Sequence, residues 1–251
     1  MGRKRYTEGG SKAPSFFIRD LEPKNSAQAY YVTTIKESTV TFGTGPAGTG
    51  KTYVAAYVAL EALLNEEIDK VILTRPIIAI EDIGYLPGTF EEKIHPYVLP
   101  LLDALDMHVG PTKTRELLAA GRIEVLPLAY MRGRSLNNSF LILDEAQNTT
   151  QEQMKMFLTR IGYGSKICVT GDISQSDLKV QQNGLAWAVE RLRGSVDDIS
   201  VVEFRSADIV RHPLIETIIA RLEGPPQKPN GKGSLGILNK PAAVLQTAML
   251  G

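Results

Sequence analysis

The stretch Gly45-Pro46-Ala47-Gly48-Thr49-Gly50-Lys51-Thr52 matches the pattern G-x-x-x-x-G-K-[ST], a glycine-rich loop that holds phosphate groups. Its glycines let the backbone curl and point N–H groups at a phosphate. Lys51 adds a positive charge near the β- and γ-phosphates, and the Thr52 hydroxyl is placed to bind Mg²⁺. All residues from Gly45 to Thr52 are therefore predicted to contact a bound nucleotide.

The segments on either side of this loop agree with that prediction. Residues 38–42 are β-branched and partly apolar, which is typical of a strand, and residues 53–64 are rich in Ala, Leu and Val without Gly or Pro, which is typical of a buried helix. A helix beginning at the loop directs unpaired N–H groups and its positive dipole end at the phosphates. We therefore favour a nucleoside triphosphate site over a glycine-rich turn without a ligand.

A second motif, Leu141-Ile142-Leu143-Asp144-Glu145, places two carboxylates at the end of an apolar run. This is the Walker B arrangement, in which Asp144 is predicted to hold Mg²⁺ directly or through water. Glu145 is placed to orient, or take a proton from, an attacking water molecule. The sequence contains no Asn-Lys-x-Asp segment of the kind that reads guanine, so ATP is the expected nucleotide.

A third polar segment, residues 169–175, follows another strand-like run and ends in Gln175. Ligands of parallel sheets bind at the carboxyl ends of strands. Gln175 is therefore a candidate for contact with the γ-phosphate or the attacking water, the alternative being a plain polar turn.

Apolar strand-like runs alternate with helical segments along most of the chain. Such alternation predicts an α/β fold with a parallel sheet covered by helices on both faces. The predicted strands are residues 38–42, 71–74, 123–126, 140–143, 166–170 and 199–202.

The chain is expected to hold one domain between a flexible N-terminal arm and a C-terminal tail that is either disordered or ordered only against a neighbouring subunit. Residues 1–15 are basic and contain Gly and Ser, and residues 224–251 are rich in Pro, Gly and Lys. Residues 16–223 form the predicted ATPase domain. Within it, residues 76–122 are too many for one crossover and predict an insertion, with helical pieces interrupted by Pro96 and Pro100.

Composition limits the location and partners of the protein. Lys plus Arg and Asp plus Glu both number 28, which argues against a generally basic nucleic-acid coat but not against a local basic groove. The single cysteine, Cys168, suits a reducing compartment, and its apolar neighbours predict a small buried side chain. No apolar run is long enough to span a membrane, so a cytoplasmic protein without membrane contact is expected.

Taken together, the motifs resemble the PhoH-like family of P-loop ATPases, which is related to the first motor domain of superfamily 1 helicases. The resemblance covers residues 20–223, nearly the whole chain. Its most specific parts are Asp144-Glu145-Ala146-Gln147-Asn148 and Arg211-His212-Pro213-Leu214. The other matching segments are residues 45–52, 74–76, 84–88, 131–134, 149–150, 170–172 with Gln175, and 208–210.

That resemblance implies a RecA-like sheet of order 5-1-4-3-2 with extra strands at an edge, and ATP hydrolysis with Mg²⁺. It also implies a homo-oligomer, expected to be a hexameric ring, and RNA or single-stranded DNA as a partner. By similarity, Gln28 occupies the place of the adenine-reading Gln of helicases. A side-chain amide can pair with the adenine edge, although an exposed helical Gln is the alternative interpretation.

Arginines raise the question of what stabilises the leaving γ-phosphate. Phosphoryl transfer commonly uses an arginine finger, which a superfamily 1 helicase supplies from a second motor lobe. We expect only one lobe here, because too few residues follow Gly224 for a second. Arg211 is the preferred finger, in cis or from a neighbouring protomer, while Arg132 and Arg134 are alternatives for that role or for nucleic-acid contact. Ordinary ion pairs are the competing interpretation for all three.

Arg75 aligns with the helicase segment that touches the nucleic-acid backbone, and a phosphate contact there would carry no sequence preference.

The preferred function is thus an oligomeric ATPase that moves on or remodels RNA or single-stranded DNA. Two alternatives stay open. One is a nucleotide-gated interaction protein acting with a ribonuclease or the ribosome, and the other is a small-molecule kinase.

Overall fold

The structure, a computed structural model, describes residues 16–76, 90–176 and 183–210, together with residues 214, 215, 218, 221 and 222. Side chains between residues 90 and 95 are not described. The chain divides into two units at Val210. The described residues of the second unit, between 214 and 222, are helical. All elements and sites below belong to the first unit.

Parallel strands form a single sheet in this part of the chain. Their bounds are β1 (Val40–Thr44), β2 (Lys70–Thr74), β3 (Ile123–Val125), β4 (Ser139–Leu143), β5 (Lys166–Gly171) and β6 (Ile199–Glu203). Their order across the sheet is β3-β2-β4-β5-β1-β6. Every neighbouring pair is parallel, which confirms the predicted parallel sheet.

The strand order agrees with the RecA-like expectation. When β3 is left out and the other strands are renumbered along the chain, the order is 5-1-4-3-2. The predicted edge addition is β3, which pairs only with β2 among the described strands.

Helices cover both faces of this sheet. Their bounds are α1 (Ser26–Glu37), α2 (Lys51–Leu64), α3 (Phe90–Val109), α4 (Pro111–Ala119), α5 (Gln151–Leu158) and α6 (Gly184–Leu192). Three short 3₁₀ helices complete the described elements: η1 (Leu128–Met131), η2 (Ala146–Asn148) and η3 (Ser206–Asp208).

Successive side chains of the central strands point to opposite faces of the sheet, and this separates the core into two clusters. In β5, Cys168 packs with side chains of α1 to α4, whereas its neighbours Ile167 and Val169 pack with side chains of α5 and α6. Since successive strand residues point to opposite faces, a strand buried on both faces reads as a continuous apolar run. This explains why the central strands were identifiable from sequence.

Cys168 confirms the prediction of a buried side chain. Its Sγ atom lies 3.0 Å from the hydroxyl of Tyr31, and both side chains are fully buried. Burial raises the pKa of the Cys168 thiol to about 12, so the thiolate is not available near neutral pH.

Helix α3 corrects one sequence expectation, because it continues through Pro96 and Pro100 instead of breaking there. Each proline in a helix interior costs about 3 kcal/mol. Burial offsets this cost, since Leu101 and Leu105 are almost fully buried and each such side chain contributes about 1.5–3 kcal/mol. The insertion predicted at 76–122 therefore holds α3 and α4, while residues 77–89 lie outside the described residues.

The other domain boundaries stay predictions. The arm at residues 1–15 and the tail at 224–251 lie outside the described residues. None of the helices in the described ranges has the length and apolar character needed to cross a membrane.

His108 ties the end of α3 to α2. Its ring is fully buried, stacks on Tyr53 with centroids 4.1 Å apart, and its Nε2 atom donates to the backbone oxygen of Tyr53 at 2.9 Å. Its Nδ1 atom has no hydrogen-bond partner among the described residues. Burial, and to a lesser extent the positive charge of Arg19, lowers the pKa of His108 below its ordinary value of 6.5.

This environment predicts an acid-sensitive contribution to stability. Because the unfolded chain takes up a proton at His108 more readily than the folded chain, the free energy of unfolding falls as pH drops below about 6.5. Urea unfolding of the wild type and of His108→Gln, measured between about pH 5 and pH 7, tests this. We expect a smaller pH slope for the variant, which keeps a donor toward Tyr53 but cannot titrate. Equal slopes would contradict the assignment.

Candidate functional site

The phosphate-binding loop connects β1 to α2 and is shaped by glycines. Gly45 has φ 130°, and a Cβ atom there would lie 2.3 Å from the backbone oxygen of Phe204. Gly50 has φ 82° and forms the N-cap of α2. Any other residue at Gly45 would clash, and at either position it would be strained, so the loop requires glycine for close packing and for the left-handed backbone.

Lys51 begins α2 and folds its side chain back along the loop. Its ammonium donates to the backbone oxygens of Gly45 at 2.7 Å and Pro46 at 2.8 Å, and to the Thr49 hydroxyl at 3.2 Å. The residue is buried. A positive charge is thus held inside the curve of the loop, at the α2 N-terminus.

Asp144 follows β4 and joins the loop to the next strand. Its Oδ1 atom accepts hydrogen bonds from the hydroxyls of Thr52 and Thr170, each at 2.7 Å. Thr170 lies near the end of β5, and Asp144 is only 7% exposed. The two predicted magnesium ligands, Thr52 and Asp144, are therefore in direct contact.

Glu145 adopts a left-handed backbone conformation with φ 52°, which is uncommon for a residue other than glycine. Its Oε1 atom lies 2.8 Å from Nη2 of Arg75, and its Oε2 atom accepts a hydrogen bond from Nε2 of Gln147. The side chains of Arg75 and Glu145 are 21% and 40% exposed. Arg75, predicted to contact nucleic acid, is thus paired with the predicted catalytic carboxylate.

Gln147 connects this carboxylate to the loop after β5. Its side-chain oxygen accepts from the backbone N–H of Asp172 at 3.0 Å, and its backbone oxygen accepts from the Ser176 hydroxyl at 2.9 Å. Gln147 is buried. Gln147 belongs to a motif that resembles the family, but its residue type alone indicates no role for it.

The loop after β5 presents Asp172 and Gln175. Oδ1 of Asp172 accepts from the backbone and hydroxyl of Ser174, at 3.0 and 2.6 Å, and its backbone oxygen accepts from the N–H of Gln175 at 3.0 Å. Oδ2 of Asp172 is buried and has no hydrogen-bond partner within the described ranges. Thr170 and Asp172 were not predicted as site residues. Their positions at the end of a parallel strand, where ligands of such sheets bind, are the signal that could have identified them.

The loop, the start of α2 and the segments that follow β4 and β5 line one cavity of about 260 Å³. It brings together the predicted catalytic and metal-binding residues Lys51, Thr52, Asp144, Glu145 and Gln175. The other residues around it are Ala47, Gly48, Gly50, Tyr53, Gly171 and Asp172.

Gln28, predicted to read adenine, is buried beside the loop instead of exposed on its helix. Its side-chain oxygen accepts from the backbone N–H of Lys24 at 2.8 Å, and its Nε2 atom donates to the backbone oxygen of Thr49 at 2.9 Å. The exposed-helix alternative is therefore wrong. Adenine recognition by Gln28 stays a prediction, since the amide keeps one hydrogen and one lone pair beyond these bonds.

The remaining arginines lie in different surroundings. Arg134 forms two hydrogen bonds to the carboxylate of Glu124, at 2.9 and 3.3 Å, which is the ion-pair interpretation considered for it. Arg132 is exposed after η1. Neither lines the cavity, and Arg211 lies outside the described residues.

A RecA-like sheet whose glycine-rich loop, lysine and acidic strand end meet in one cavity defines a P-loop NTPase. Within this class the chain belongs to the PhoH-like protein family, whose model matches residues 20–223. This is a match of sequence, and part of the matched range lies outside the described residues.

Similar proteins agree with this family. The chain is 52% identical over 212 residues to a PhoH-like protein of Mycobacterium tuberculosis, covering 82% of this chain and 60% of the relative. It is 52% identical over 203 residues to a PhoH-like protein of Bacillus subtilis, covering 80% of this chain and 63% of the relative. The chain thus spans less than two thirds of the length of these relatives. A Pif1 helicase from Candida albicans is similar in structure, with 16% identity, a TM-score of 0.42, and coverage of 81% and 44%.

The position of Lys51 predicts the effect of its removal. Lys51→Ala deletes the positive charge and three hydrogen bonds within the loop, so we expect ATP affinity to fall about tenfold or more. Isothermal titration calorimetry with ATP and Mg²⁺ measures this. Lys113→Ala, which removes a half-buried lysine of α4 that is paired with Glu116 outside the cavity, is the matched control. Unchanged ATP affinity in Lys51→Ala would reject the nucleotide site.

Proposed function

We propose that the protein is a Mg²⁺-dependent ATPase that works as a homo-oligomer, preferably a hexameric ring, and that RNA or single-stranded DNA stimulates it. The observation that carries the proposal is the convergence of Lys51, Thr52, Asp144, Glu145 and Gln175 on one cavity. These are the parts that phosphoryl transfer to water requires: a phosphate cradle, metal ligands, a base and a γ-phosphate contact.

The residues around Asp144 are suited to a magnesium ion. Mg²⁺ in nucleotide sites takes one or two protein oxygens and completes its shell with phosphates and water. Oxygens of Thr52 and Asp144 lie 2.7 Å apart, and Thr170 orients the same carboxylate. Magnesium would neutralise charge on the phosphates when bound. Among described residues no group of three His, Cys, Asp or Glu forms a metal site, which is consistent with a metal held largely by its nucleotide.

Different surroundings give the two neighbouring carboxylates different roles. Asp144 is buried and fixed by two hydroxyls, which suits a ligand. Glu145 is more exposed and lies at the cavity wall, which suits a base that must reach a water molecule. Gln175, which lines the same cavity, contacts the γ-phosphate in this proposal.

The small number of positively charged side chains around the cavity supports assembly of several copies of the chain. Lys51 is the only Lys or Arg among the described residues that line the cavity. An ATPase that releases phosphate efficiently uses a further positive charge. We assign that role to Arg211, acting from a neighbouring protomer in a ring. Arg75 and the exposed Arg132 are the proposed contacts for nucleic-acid phosphates, and location in the cytoplasm stays a prediction.

ATP hydrolysis measured with and without polynucleotide tests the proposal. We expect release of phosphate from ATP that increases when poly(U) or oligo(dT) is added, and an oligomer by light scattering. Glu145→Gln should bind ATP yet hydrolyse it about tenfold or more slowly, because it lacks the base.

Glu203→Gln, which removes a carboxylate of the edge strand β6 outside the cavity, is the control for that variant. Hydrolysis without any response to polynucleotide would favour the nucleotide-gated interaction protein, acting with a ribonuclease or the ribosome. Transfer of phosphate to a metabolite would favour the kinase.

Mixing two inactive variants tests whether Arg211 acts between subunits. Arg211→Ala keeps a complete loop, and Lys51→Ala keeps Arg211, so a site formed between them is complete only if the finger acts in trans. In rings that exchange subunits, equal mixing should restore about a quarter of the wild-type rate, because half the subunits have the loop and half of those meet an intact Arg211. Absence of recovery at every mixing ratio would reject action in trans.

A further inference from the structure

The ion pair between Arg75 and Glu145 connects a proposed nucleic-acid contact with the proposed catalytic base. Arg75 follows β2, Glu145 lies two residues after β4, and these strands are parallel neighbours with Thr74 opposite Leu143. The backbone N–H of Asp144 donates to the oxygen of Thr74 at 3.0 Å, which fixes the two strand ends together. The side chains that follow therefore meet by sheet register.

Both oxygens of the Glu145 carboxylate are engaged by protein donors. Arg75 donates to Oε1 at 2.8 Å, and Gln147 donates to Oε2. A general base must have an oxygen within hydrogen-bond reach of the water it activates. In the arrangement seen here, the carboxylate is held by an arginine that does not itself line the nucleotide cavity.

The pair is also accessible enough to be exchanged. Its side chains are 21% and 40% exposed, and ion pairs that are open to water contribute little to stability. Arg75 is positioned by a second contact, from Nη1 to the backbone oxygen of Tyr97 at 3.3 Å. A phosphate with two free oxygens can accept two parallel N–H groups of a guanidinium, and so competes well for it.

We propose that Arg75 is a positioning residue that withholds Glu145 until a nucleic-acid phosphate binds Arg75 and releases the carboxylate. This inference rests on the proposed stimulation by polynucleotide and gives it a mechanism. Gln147 extends the connection, since its side chain links Glu145 to Asp172 in the loop that carries Gln175. Release of Glu145 therefore also affects the loop that is proposed to contact the γ-phosphate.

The first test compares rates of ATP hydrolysis. In Arg75→Ala, the rate without polynucleotide should rise about fivefold or more, and poly(U) should add little further increase. Arg193→Ala is the matched control, because it breaks a surface arginine–glutamate pair with Glu203 outside the cavity. Arg75→Gln, which removes the positive charge but keeps a polar side chain, serves if the alanine variant does not fold, as judged by its thermal melt.

The second test uses binding without hydrolysis. If polynucleotide and Glu145 compete for Arg75, then removing the charge of Glu145 must tighten polynucleotide binding, since coupling between sites is reciprocal. Glu145→Gln should bind fluorescein-labelled oligo(U) or oligo(dT) about fivefold or more tightly in the absence of ATP, measured by anisotropy. Glu203→Gln makes the same charge change and should bind as the wild type does.

Two results would overturn the inference. One is a rate without polynucleotide that is unchanged or lower in Arg75→Ala, which would make the pair a support for the base. The other is an Arg75→Ala variant that binds polynucleotide more weakly but whose ATP hydrolysis is fully stimulated at saturating polynucleotide. That result would make Arg75 a phosphate contact only.

The proposed function fails separately, through a wild type that no polynucleotide stimulates. That result would also remove release by nucleic acid, while the rate of Arg75→Ala would still decide whether Arg75 restrains Glu145.

Discussion

Parallel pairing of β1, β5, β4 and β2 determines where every functional group lies. The register places Thr44 opposite Gly171, and Leu143 opposite both Val169 and Thr74, so these strands end at one edge of the sheet. Each chain segment that leaves this edge carries a motif. The phosphate-binding loop, the two carboxylates, the Gln175 loop and Arg75 therefore meet although they are far apart in sequence. A shift of one residue in any pair would separate them.

Hydrogen bonds between these strand ends convert proximity into defined geometry. Asp144 is shared by hydroxyls from α2 and β5, and Gln147 connects Glu145 to the backbone of Asp172. Gln28 supports the loop from outside through the oxygen of Thr49. Because these groups are buried or partly buried, an unpaired member would cost more than a surface contact. The polar network thus fixes the relative positions of the strand ends around the cavity.

Sequence was sufficient where a short segment carries its own physical reason. The glycine loop, the acidic strand end and the apolar strands each follow from local chemistry, and the strand order followed from the family resemblance. Contacts between distant segments were not predictable: Arg75 was expected to face nucleic acid and lies on Glu145. Likewise, the prolines of α3 indicated a break, yet burial of Leu101 and Leu105 against the P-loop helix decided the outcome.

The placement of charge around the cavity is the reason why we propose that this sheet works with a partner. Walls of the cavity come from the loop, from the end of β4 and from the end of β5, and carry acidic groups at Asp144, Glu145 and Asp172 against one lysine among the described residues. A nucleoside triphosphate adds further negative charge to this surface. Magnesium offsets part of it, but charge that develops on the leaving phosphate requires a donor facing it. Arg75 does not line the cavity and is paired with Glu145, so in the proposed function the additional positive charge comes from Arg211 of a neighbouring protomer.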